Sequence, residues 1–95
     1  MIIFELELAL VINELKKAHA YLDCEAIIIR HLKKLIDNGN KIPEIETYLK
    51  RMLPHLTTLH KAVSREEGIN YKYAAEYVNT LITTSYWHSW INSIK

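Results

Sequence analysis

Apolar residues in the first third of the chain recur at alternating steps of four and three: Phe4, Leu8, Val11, Leu15, Ala18 and Leu22. That spacing places them along one side of a helix and predicts helix over about residues 2–22. Asp23 can cap a second helix, whose apolar set Ala26, Ile29, Leu32 and Ile36 keeps helical spacing up to Asn38-Gly39-Asn40. An Asn-Gly-Asn stretch supplies a left-handed stop, so the second helix is expected over about 24–38. Neither glycine nor proline separates these two segments, and one continuous helix over 2–38 is the competing reading.

Pro43 suits the first turn of a third helix, where its missing N–H is unpaired in any case. From there Ile45, Leu49, Met52, Leu56, Leu59 and Val63 repeat at four and three straight across Pro54. The periodicity asks for one helix over about 43–66. Pro54 removes the amide that would bond the carbonyl of Lys50, which predicts a kink there with the seam preserved. Gly68 is expected to end this arm and Asn70 to cap the next, with Ile69 packing on Ala74 as a hydrophobic staple. A last helix over about 71–93 would turn Ala74, Val78, Leu81 and Ile82 inward.

Charge placement supports these breaks. Acids favour helix starts and bases favour helix ends through the helix dipole. Glu5 and Glu7 precede Lys16 and Lys17, Asp23 and Glu25 precede Lys33 and Lys34, and Glu44 and Glu46 precede Lys50 and Arg51. Six of the eleven acids and six of the twelve bases thus match helix polarity. The sum predicts an all-α fold, a compact up-and-down bundle of three to four helices in a single domain over residues 1–95.

Composition narrows the function classes. The two glycines and two prolines of the chain leave too few turn sites for an all-β domain and no glycine-rich phosphate loop. The longest uninterrupted apolar run, Leu8 to Ile12, is far short of the roughly 18 residues of a spanning helix. One cysteine, Cys24, and a start without a basic leader lead to the expectation of a cytoplasmic protein without membrane contact. A net charge of +1 gives no overall attraction to nucleic acid or anionic lipid.

The histidines, His19, His31, His55, His60 and His88, lack the spacing of three or four that sets two ligands on one helix face, and no Glu-x-x-His pair precedes any of them. Cys24 at a helix start is flanked by Asp23 and Glu25, which oppose thiolate formation. Serines 64, 85, 89 and 93 have no nucleophile elbow around them. No catalytic residue, metal site or cofactor is therefore expected.

Two segments hold candidate binding residues. Residues 62–81 look somewhat like a helix-turn-helix, with Gly68 in the turn and Asn70, Tyr71, Lys72 and Tyr73 at the start of the second helix, although Glu66, Glu67 and Glu76 would repel phosphate. Arg30, Lys33, Lys34 and Lys41 could form a separate basic patch or a solvated face. The second segment is the aromatic end: Tyr71, Tyr73, Tyr77, Tyr86, Trp87 and Trp90 are six of the nine aromatic side chains. Tyr73 with Tyr77, and Tyr86 with Trp90, stand four apart, while Trp87 joins Ile91 and Ile94 in an inward stripe. Large aromatics with one polar atom anchor protein interfaces. The expectation is a small non-enzymatic binding or regulatory module of inhibitor, immunity or adaptor type. It would act through a helix face, on a protein partner or on itself as a homo-oligomer, with Tyr86, Trp90, Tyr73 and Tyr77 at the interface. The alternative is a DNA-binding regulator that uses residues 62–81.

Overall fold

The computed structural model of the protein describes residues 3–63 and 65–89. They form α1 (Phe4–Lys16), α2 (Tyr21–Asp37), α3 (Ile42–Ala62) and α4 (Arg65–Thr84), with a further helical turn at 87–89. No strand occurs among the described residues. The expected helical bundle is what the chain builds: α3 and α2 each lie against α4, and α1 packs across α2 and α4. The core takes Phe4, Leu8, Val11 and Leu15 from α1, Ile45, Leu49, Met52 and Leu56 from α3, and Ala74, Val78 and Leu81 from α4. Each large aliphatic side chain so buried contributes about 1.5–3 kcal/mol.

The break between the first two helices comes earlier than Asp23. α1 stops at Lys16, where Lys17 N–H and Ala18 N–H bond back to the carbonyls of Glu14 and Leu15 in a tightened last turn. The side chain of Asn70, on α4, donates to the carbonyls of Leu15 and Ala18, both at 3.0 Å. Leu22, expected on the buried seam, is 73% exposed. Asp23 lies inside the first turn of α2, and its carboxylate accepts from His19 N–H at 3.0 Å.

The buried stripe of α2 is Cys24, Ile27, Ile28, His31, Leu32 and Leu35. It is rotated from the expected set, so that Ala26 is exposed and Ile29 and Ile36 are half-buried. This rotation brings His31 into the core. The stop at Gly39 is as expected. Gly39 adopts φ +89°, and Asn40 directs both its N–H and its side-chain amide to the carbonyl of Leu35, at 3.1 and 2.8 Å.

α3 runs through Pro54, which lies on the exposed side with Lys50. Lys50 and Arg51 therefore sit in mid-helix, and the basic residues of the last turn are His60 and Lys61. At its start the Glu44 carboxylate accepts from Lys41 N–H at 3.0 Å, half of a capping box.

Gly68 does not end the third arm. α3 stops at Ala62, and Gly68 lies within α4, buried where α4 crosses the end of α3. A methyl group on its Cα would come within 2.8 Å of the His60 carbonyl oxygen, so glycine is needed for close approach. The His60 ring reinforces the crossing through a 2.9 Å hydrogen bond between Nδ1 and the Gly68 carbonyl. α4 accordingly begins six residues before Tyr71, and Ile69 is partly exposed instead of stapling the helix start. α4 ends at Thr84; Ser85 takes φ +54° and turns the chain back. Trp87 then enters the core, 1% exposed, and its indole N–H donates to the Leu81 carbonyl at 2.8 Å.

Candidate docking surface

The residues expected to read DNA do not share an exposed face. Tyr71 and Asn70 are 1% and 7% exposed, Asn70 being engaged with the end of α1. Lys72 points outward, and Tyr73 is half-buried with its ring edge-on to Tyr21, 5.3 Å between centroids. With helix at Gly68 in place of a turn, the groove-facing start of a reading helix is not formed.

The aromatic residues expected at an interface are placed differently from one another. Tyr77 is buried, and its hydroxyl is 2.9 Å from that of Tyr86. Desolvation, and after it that contact, hold the Tyr77 phenol well above its ordinary range. Tyr86 is 52% exposed and is the ring of the group that presents a large surface; Trp90 lies outside the described residues. Trp87 is core, as expected.

The more extensive apolar surface is on α1. Ile3, at the N-cap, Leu6 and Leu10 are 55%, 60% and 50% exposed. Their steps of three and four set them on one helix face, turned away from the buried Phe4, Leu8, Val11 and Leu15. Exposed Asn13 and Lys17 continue the row, and exposed Ala9 and Lys16 flank it on the side away from α2. α1 thus carries two apolar stripes, one packed and one open. Periodicity could have exposed the second: Ile3, Leu6 and Leu10 have the same spacing as the core stripe, offset round the helix.

A polar rim borders the open stripe where α1 meets α2. Glu7 and Glu14 reach the α2 bases Lys34 and Arg30, each at 3.6 Å, and the two bases are 49% and 66% exposed. Between the helices lies a groove of about 320 Å³ lined by Leu10, Asn13, Glu14, Arg30, His31 and Lys34. His31 forms its floor. Its Nε2 lies 3.0 Å from both the Tyr48 hydroxyl on α3 and the Glu7 carboxylate on α1. Burial pushes the His31 pKa down against the opposing pull of Glu7, and burial raises the Tyr48 phenol above its ordinary range. On the opposite flank Arg51 of α3 stacks over the Phe4 ring at 3.9 Å and approaches Glu5 at the same distance. These contacts fix the orientation of α1 and hence the outward aim of Leu6 and Leu10.

Other chemistry-bearing groups are dispersed. Cys24 is buried, its thiol 3.7 Å from the Asn70 carbonyl and pushed up in pKa by desolvation and Asp23. His19 is exposed in the connection between α1 and α2, His55 is exposed on α3, and His88 meets Glu46 at 2.8 Å. Among the described residues no three histidine, cysteine or acidic side chains gather in metal-binding proximity, and no helix is long and apolar enough to cross a membrane. No known protein family matches the chain, and neither a curated protein nor a solved structure matches it.

Proposed function

We propose that this chain is a small non-enzymatic protein-binding module of regulatory type, and that it docks through the outer face of α1. The observation that carries this reading is the row Ile3, Leu6 and Leu10, half or more exposed on a helix whose opposite face is fully packed. Water-facing leucines in a contiguous row favour association, because covering them releases the same hydrophobic free energy that drives core packing. The neighbouring Glu–Lys and Glu–Arg pairs supply the polar rim that surrounds an interface centre. Tyr86 remains a smaller apolar site on the last turn.

A photoreactive amino acid placed at Leu10, with the same residue at exposed Thr47 on α3 as control, tests the assignment in cells that express the full chain. Adducts of defined mass from position 10 and none from position 47 are expected. Equal adducts from both positions, or none from position 10, would exclude α1 as the docking face.

A further inference from the structure

We infer that the seam between α2 and α4 is a docking surface for a basic segment of a protein partner, which lays an arginine or lysine side chain against tyrosine rings beside two carboxylates. This surface is separate from the outer face of α1 and does not depend on it.

Residues four apart on a helix share a face. Tyr21 and Glu25 do so on α2, Tyr73 and Tyr77 do so on α4, and the packing of α2 on α4 brings the two pairs together. The half-buried Tyr21 and Tyr73 rings meet at 74° with 5.3 Å between centroids, and so form two walls of a corner. One turn further along α4 the Tyr77 hydroxyl meets that of Tyr86 at 2.9 Å, which brings a 52% exposed ring to the same seam. Leu22, the neighbour of Tyr21, is 73% exposed and extends the surface over the start of α2.

Charge selects the occupant. Burial first, and then the Glu25 and Glu76 carboxylates, push the Tyr21 phenol up. Burial and Tyr86 raise the Tyr77 phenol, and Glu25 and Tyr21 add to the rise. Both acids therefore lie close to the rings, and no base is among the groups that act on either phenol. Lys72, exposed on α4, lies about 100° round the helix from Tyr73, on the solvent side. A tyrosine face attracts a cation, and neighbouring carboxylates add to that attraction. The same groups repel phosphate, which excludes nucleic acid and an anionic lipid surface as occupants. Leu22 on one side of the Tyr21–Tyr73 corner and Tyr86 on the other call for apolar groups flanking the cation, as a peptide segment supplies and a free amine does not.

Amide NMR titration of the isotope-labelled full chain at low salt tests this, with the peptide Leu-Arg-Leu-Arg-Leu and its counterpart Leu-Glu-Leu-Glu-Leu. The arginine peptide is expected to give saturable shifts at Tyr21, Leu22, Tyr73 and Tyr86 that weaken with added salt, and the glutamate peptide none. Glu25→Gln combined with Glu76→Gln should weaken binding about ten-fold. Tyr73→Leu should weaken it several-fold. Glu14→Gln, on the α1–α2 rim, should leave it unchanged, and all the variants should keep the helical circular dichroism. Absence of saturable shifts with the arginine peptide, or unchanged affinity in the Glu25→Gln, Glu76→Gln chain, overturns the proposal. So does an equal loss from Glu14→Gln, which would mean diffuse attraction to any acid. Shifts confined to Leu6 and Leu10 would move the peptide to the α1 face and remove the seam, whereas binding at the seam says nothing against α1.

Discussion

Asn70, on α4, caps the end of α1: its side-chain amide donates to the carbonyls of Leu15 and Ala18, 55 and 52 residues away, at 3.0 Å each. The Leu15 carbonyl, which also accepts from Ala18 N–H, and the Ala18 carbonyl just beyond α1 are thereby tied to α4 across the bundle. Asn70→Ala removes both donors and is expected to cost about 1–3 kcal/mol, the range for leaving buried polar groups unsatisfied. Urea denaturation reads it as a lowered midpoint at unchanged slope. Asn70→Asp should cost more, since it turns carboxylate oxygen toward the carbonyls.

Gly68 separates two kinds of glycine effect. In an open helix interior Gly→Ala stabilises by up to about 1 kcal/mol. Here the added methyl would lie 2.8 Å from the His60 carbonyl. Gly68→Ala is therefore expected to destabilise by about 1–3 kcal/mol through overpacking at the α3–α4 crossing. A rise in the thermal midpoint would contradict the close approach described.

The two faces of α1 should respond oppositely to substitution. Leu15, fully buried, is expected to cost about 2–5 kcal/mol when changed to alanine. Leu10→Ser, on the exposed face, should change the stability of the dilute chain by less than about 0.5 kcal/mol. Denaturation of both variants at low protein concentration checks the contrast.

His31 predicts a pH dependence. Its folded pKa is lowered from 6.5, chiefly by burial, so the unfolded chain takes up the proton first as pH falls. The His31 contribution is present above about pH 6.5 and is lost as pH drops below that value toward the folded pKa. His31→Gln should flatten the slope of unfolding free energy in this window. The groups facing the ring, Glu7 and Glu14 from α1, Lys34 from α2 and Tyr48 from α3, remain in the variant, which isolates the imidazole. An unchanged slope would show that the ring is not desolvated.

The helices were legible in the chain because their information is local. The seams Phe4–Leu8–Val11–Leu15 and Ile45–Leu49–Met52–Leu56 are visible as periodicity and are buried as expected. The ends were less legible where distant residues decide them. α1 stops without a local glycine or proline because Asn70 accommodates its terminal carbonyls. Gly68 read as a helix stop, since a glycine required for left-handed backbone and one required for closeness look alike until a neighbouring helix is placed. The exposure of the second α1 stripe was undecided by spacing alone for a related reason. α1 is apolar around much of its circumference, and only the positions of α2 and α4 determine that Leu8 is covered and Leu10 is not. The aromatic end drew attention by composition, yet Tyr71, Tyr77 and Trp87 are core.

The docking role of α1 is tested most directly by the reactivity of a cysteine placed at Leu10. With Cys24 buried, alkylation of Leu10→Cys can be compared with that of Thr47→Cys, in dilute purified protein and inside intact cells. Both cysteines should react rapidly when the protein is dilute, and in cells the one at position 10 should be protected relative to the one at 47. Equal reactivity of the two in cells would contradict a covered α1 face.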